Sequence, residues 1–124
     1  MIALDTTSKL LEIVLAGAVT TNQLDFTCVY YDVPAQTQEG ILEFRRFVYN
    51  DDTNNTTDVT LVPAPSIPNI SREIESIFVY NKDTADATLT IKLYNGSTDY
   101  IIVKKTLAAN ETLVYERGQG WAIF

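Results

Sequence analysis

Apolar and polar residues alternate with a period of two along most of the chain, the spacing of half-buried β-strands. The clearest run is Thr88–Tyr94. Leu89, Ile91 and Leu93 fall on one face there, and Thr88, Thr90 and Lys92 on the other. Leu24–Val33 behaves the same way, with Leu24, Phe26, Cys28 and Tyr30 sharing a face and Pro34 ending the run. Further strands are expected at Asp58–Val62, Ile74–Asn81, Tyr100–Lys105, Thr112–Glu116 and Trp121–Phe124. Lys9–Ala16 reads as a strand with Leu11, Ile13 and Leu15 on one face and Leu10, Glu12 and Val14 on the other, although a short helix fits the same residues. Ile41–Tyr49 is ambiguous: Ile41, Phe44, Phe47 and Val48 suit a helix, whereas the aromatic content and missing N-cap favour a strand.

Turn chemistry separates these runs. Asn95-Gly96 is the strongest hairpin signal. Lys82–Asp86 and Arg117–Gly120 are turns, Leu107–Glu111 is a connection, and residues 34–40 form a loop. Asn50–Thr56 reads as a polar tip. Residues 1–8 form an arm or short edge strand. Residues 63–68 hold three prolines and read as a crossover between two sheets, with a hinge between lobes as the alternative. Turn signals every 8–12 residues mark a sandwich or barrel. The expectation is one domain over residues 1–124, an all-β antiparallel β-sandwich of jelly-roll-like form.

Composition agrees and adds limits. Sixteen threonines and seven tyrosines favour strands. At 124 residues the chain can bury one core without staples. Its net charge is −7, which argues against a nucleic-acid partner. The charge is uneven, with nine acidic and three basic residues in 1–62. Cys28 is the sole cysteine, so no intrachain disulfide forms, and it reads as a buried thiol. No secretory leader or membrane span is expected, because the apolar run near Leu10–Val19 is short and broken by Glu12.

Candidate chemistry is sparse. The chain has no histidine, which removes Ser-His-Asp and Cys-His nucleophile systems and the commonest zinc ligand. Glu73 and Glu75 share a strand face as a glycosidase pair would, but a solvated strand edge is the stronger reading. Asp52, Asn54, Thr56 and Asp58 have the alternate spacing of a calcium loop without its glycine or closing glutamate. Trp121, following a glycine turn, either covers the end of the sandwich or offers a sugar-stacking ring. No enzyme, cofactor or metal is expected.

Two stretches carry a resemblance. One is Leu4-Asp5-Thr6-Thr7-Ser8-Lys9 with Leu11–Ala18 and Thr20-Thr21-Asn22-Gln23-Leu24. The other is Val79-Tyr80-Asn81-Lys82-Asp83-Thr84 with Thr88–Ile91, Leu107–Tyr115 and Gly118-Gln119-Gly120-Trp121. Together they resemble small structural proteins of tailed-bacteriophage virions. The resemblance implies a non-enzymatic virion protein, made in the host cytoplasm and first of all a decoration protein on the capsid exterior. A tail, connector or fibre-adaptor component is the second reading, and a carbohydrate-binding module for host glycans comes from another class. Implied partners are the major capsid protein or tail proteins and further copies of the chain, trimers among them, with no nucleic acid and no membrane. Leu4, Leu10, Val14 and Trp121 are the expected partner contacts, as apolar residues on the arm, the first strand and the closing strand.

Overall fold

The computed structural model describes residues 2–34 and 45–124. The loop expected over residues 35–40 and the ambiguous start at Ile41–Phe44 lie outside the described residues.

The protein is an all-β antiparallel sandwich. Its strands are β1 (Ala3–Leu4), β2 (Leu10–Leu15), β3 (Asp25–Pro34), β4 (Arg45–Asp52), β5 (Val59–Val62), β6 (Ile70–Tyr80), β7 (Ala87–Tyr94), β8 (Asp99–Leu107), β9 (Thr112–Glu116) and β10 (Gly120–Ile123). The first sheet, here sheet A, has the order β10-β9-β6-β3-β4, with β1 paired to β6 beside the end of β9. Sheet B has the order β5-β2-β7-β8. Among the described strands, six of the nine connections pass from one sheet to the other. The other three, β3–β4, β7–β8 and β9–β10, stay within a sheet.

The period of two explains the core. Leu11, Ile13 and Leu15 on β2 and Leu89 and Ile91 on β7 point from sheet B towards Phe26, Cys28 and Tyr30 on β3 and Leu113 and Tyr115 on β9. Lys9–Ala16 is therefore the strand reading and not the helix. Burial pushes the Cys28 thiol up to about 12, so it stays a neutral packing group.

On β6 the alternation breaks. Ile74 and Ile77 are both fully buried although three residues apart. A β-bulge makes this possible, since Val29 pairs with Ser76 and Tyr30 with Ile74, leaving Glu75 without an opposite residue on β3. The buried faces of β6 before and after the bulge thus stay in register with the core.

The crossovers are fastened by polar side chains. At one end, Asp83 accepts hydrogen bonds from the Thr20, Thr21 and Asn22 amides and the Thr21 hydroxyl at 2.8–3.1 Å. Beside it the fully buried Asn81 donates from Nδ2 to the Ala85 and Leu107 carbonyls, both at 3.0 Å, and accepts from the Asp83 amide. Gln23, Thr53 and Asn55 form a second knot: Gln23 Nε2 donates to Asn55 Oδ1 at 2.8 Å, and Gln23 Oε1 accepts from Thr53 Oγ1 and the Asn55 amide. The Asn50–Thr56 segment is therefore not a free hairpin tip. Its Thr53 is buried, and it leads from β4 of one sheet to β5 of the other.

Residues 63–69 join β5 to β6 across the sandwich, and Arg72 holds them. Its Nη1 donates to the Pro63 and Ala64 carbonyls at 2.8 and 3.2 Å. Its Nε and Nη2 grip both oxygens of Asp32 at 2.8 and 3.0 Å, and its guanidinium lies 4.6 Å from the centre of the Tyr30 ring. The β7–β8 loop is capped by Asn95 Oδ1, which accepts from the Ser97 and Thr98 amides. Gly96 has φ +100°, and a Cβ there would meet Ser8 Cβ at 3.0 Å, so only glycine suits this contact with the β1–β2 turn.

Candidate functional site

The outer face of sheet A is the candidate site. Two distinct surfaces lie on it. The first is a cleft of about 650 Å³ lined by Tyr31, Arg46, Glu75, Ser76, Glu116 and Arg117. Arg117 Nη1 donates to Glu73 Oε2 at 3.3 Å, and its guanidinium covers the Tyr31 ring at 5.5 Å. Arg46 reaches Glu75 from the opposite wall, with Nη2 donating to Oε1 at 3.4 Å and Nε 3.2 Å from Oε2. Glu73 and Glu75 do not form a solvated strand edge. They project from β6, a central strand, because the bulge turns Glu75 outward beside Ser76. Each carboxylate has its own arginine, Glu73 with Arg117 and Glu75 with Arg46.

The second surface is apolar. Register places Thr27, Phe78, Val114 and Ala122 side by side across four strands, with Val29 and Val48 in the next row. Tyr80 and Phe124 flank this row at the other side. Val48 is 65% exposed, Phe78 37% and Phe124 76%, so the row faces solvent in the isolated chain. Alternation could have placed Phe78 opposite the buried Ile77 and Val79, but only strand order shows that these outward residues form one patch.

The expected contact residues fare differently. Leu4 is fully buried, because β1 pairs with β6 and turns Leu4 into the core beside Arg72. It is not available to a partner, and the N-terminal segment is no free arm from Ala3 to Leu4. Leu10 and Val14 lie on the outer face of β2 and are half-buried. The Trp121 ring lies 4.9 Å from that of Tyr115, tilted by 47°; the two residues pair across β9–β10, and Trp121 packs against the edge of the core. These four residues do not form one surface: Leu10 and Val14 are on sheet B, and Trp121 turns inward from sheet A.

The calcium-loop spacing does not converge either. Asp58 binds Lys92, Thr53 between them is buried, and Asp52 lies against Asp25 beside Lys82. Strand pairing assembles a different acidic group on sheet B, which the linear sequence gave no means to see. Carboxylate oxygens of Glu12, Asp58 and Asp99 lie within 4.8 Å of one another. Lys92 fills the space between them, with Nζ donating to Asp58 Oδ1 at 2.8 Å and Asp99 Oδ2 at 3.3 Å. Burial works against the Lys92 charge, but these hydrogen bonds outweigh it and raise its pKa. Burial, followed by the Asp58 and Asp99 charges, raises the pKa of Glu12. The trio is thus an over-acidic ion cluster with an internal counter-ion.

A raised carboxyl pKa stabilises the fold below the ordinary glutamate value, and that stability is lost as pH rises through the raised value. Glu12→Gln is therefore expected to stabilise the protein at pH 7, by a few tenths to about 1 kcal/mol. The gain shrinks towards zero below pH 4. Urea melts of both proteins at pH 7 and pH 3.5 check this; an equal gain at both would refute the electrostatic origin.

No family model, curated protein or solved structure matches the chain.

Proposed function

We propose that the protein is a non-enzymatic structural component of a tailed-phage virion, and first a decoration protein on the capsid exterior. The observation that carries this reading is the exposed apolar row on sheet A, with Val48, Phe78 and Phe124 at its centre and margins. A solvent-facing apolar patch rimmed by charges is the form of a protein-contact surface. The phage context comes from the resemblance of the two motif stretches. A net charge of −7 suits a position away from packaged DNA. Tail or connector proteins are the alternative partners for the same surface. The carbohydrate-binding alternative draws on the Tyr31–Arg46–Arg117 cleft, whose guanidinium and carboxylate groups suit sugar hydroxyls, and not on Trp121.

Mixing the protein with expanded capsids and with isolated tails of the phage that encodes it tests the reading. Stoichiometric capsid binding is expected. Phe78→Glu, on an exposed position, should weaken that binding by at least about tenfold while leaving the circular dichroism unchanged. Binding to tails alone would move the protein to the second reading. Glycan binding without any particle binding would support the third.

A further inference from the structure

We propose that β4 is a dimer interface, pairing antiparallel with β4 of a second copy of this chain in one defined register. The inference rests on this strand and not on the virion reading above.

β4 is the outer strand of sheet A. β3 pairs with one side of it, and no strand covers the other among the described residues. Its pairing with β3 runs unbroken from Asp25–Asp52 to Asp32–Arg45, without bulge or proline. Proteins usually protect such an edge with a bulge, lysines, proline or a very short strand. The other long edge follows that rule: β8 has a bulge at Ile102 and exposes Lys104 and Lys105. The remaining edges, β5 and β10, have four residues each. β4 has eight residues with no bulge, lysine or proline; its charges, Arg45, Arg46, Asp51 and Asp52, sit at its two ends, and Val48 is exposed at its middle.

The charges along β4 are self-complementary. The strand begins Arg45-Arg46 and ends Asp51-Asp52, so a reversed copy sets positive against negative. Antiparallel joining of two identical edges into one continuous sheet requires a two-fold axis normal to the sheet. That axis keeps each face on its own side, so each residue meets one that points the same way. The register centred on Val48 satisfies this. It puts Val48 opposite Val48, Phe47 opposite Tyr49, and Arg45 opposite Asp51 of the second copy. Centring on Tyr49 would set Phe47 against Asp51 and leave Arg45 beyond the end of the partner strand.

The pattern of ion pairs favours the Val48 register. Arg46 already binds Glu75. Arg45 lies 5.6 Å from the centre of the Phe47 ring and has no ion pair among the described residues, nor has Asp51, and both are exposed. Of the three end charges without an ion pair among the described residues, Arg45, Asp51 and Asp52, this register joins the first two, twice over by symmetry, while Asp52 lies against Asp25. Phe47 and Tyr49, half-buried beside Tyr30 and Phe26, would close the cross-strand aromatic row.

Sedimentation velocity of the full chain at tens of micromolar tests the proposal. A dimer is expected. Arg45→Asp and Asp51→Arg should each raise its dissociation constant about tenfold or more, and the double reversal should restore it. Val48→Cys should cross-link two chains under mild oxidation, since directly opposed Cα atoms of an antiparallel pair lie about 4.5–5.5 Å apart, within the Cα separation a disulfide spans. Cys28, buried, does not compete. A monomer that Val48→Cys fails to cross-link overturns the proposal. So does a dimer indifferent to both single reversals, or one weakened by them that the double reversal fails to restore.

Discussion

Replacing Arg72 with methionine should cost about 3–5 kcal/mol of folding stability, measured by urea unfolding at pH 7. The loss is large because the substitution leaves Asp32 behind. The Asp32 side chain is only 15% exposed, and both its oxygens depend on the guanidinium. The Pro63 and Ala64 carbonyls lose their donor as well, which loosens the β5–β6 crossover. The two contributions separate experimentally. Combining Arg72→Met with Asp32→Leu removes the stranded charge, and a well-packed apolar pair is close to neutral against a buried ion pair. The double variant should therefore recover most of the loss and retain a deficit of about 1–2 kcal/mol from the unpaired carbonyls. If Arg72→Met alone costs less than about 1 kcal/mol, Arg72 is not what holds Asp32 and the β5–β6 crossover in place.

The second large effect is at the opposite end of the sandwich. Asn81→Leu should destabilise by roughly 3 kcal/mol or more, because three polar backbone groups lose their partner, two of them at buried hydrogen bonds. Asp83 extends the same knot, and its pH behaviour distinguishes it. Hydrogen bonds from the Thr20 amide first, and then from Thr21 and Asn22, hold its carboxyl well below the usual carboxylate range. A depressed pKa contributes stability above the unfolded value near 4, and that stability is lost as pH falls towards the folded value. Asp83→Asn should therefore lower the melting temperature at pH 7 by on the order of 5 °C, and less at pH 2.5. The same shift at both pH values would show that the carboxylate charge has no part in the knot.

These two knots show how much of the fold was legible. Lys82–Asp86 reads as a turn from its residue types, and it does join β6 to β7, with Asn81 just past the end of β6. That these side chains tie three crossovers together is invisible along the chain, because Thr20–Asn22 and Leu107 are remote in sequence. Arg72 had a signal that strand parity could have supplied: it stands two residues before the buried Ile74, on the inward face. Local charge content, with Glu73 and Glu75 adjacent, pointed instead to a solvated strand. The bulge also left a trace, since Ile74 and Ile77 are spaced three apart in an otherwise alternating strand.

The candidate site was less legible than the fold. Leu4 looked like an exposed arm residue, and a two-residue pairing with β6 buries it. Phe78, Val48 and Phe124 looked like members of three unrelated strands. Their common surface exists only because β10, β9, β6, β3 and β4 lie in that order.

By itself the sequence determined most of the strands and their inward and outward faces, the absence of histidine chemistry and the all-β sandwich class, while Ile41–Tyr49 stayed ambiguous. Those follow from a side-chain period of two and from residue types, both local properties. The tertiary structure decided which strands share a sheet, which edges remain open, and which polar groups are buried with partners. Those depend on pairing between segments tens of residues apart, where one register is selected by burying the apolar faces of all the strands together.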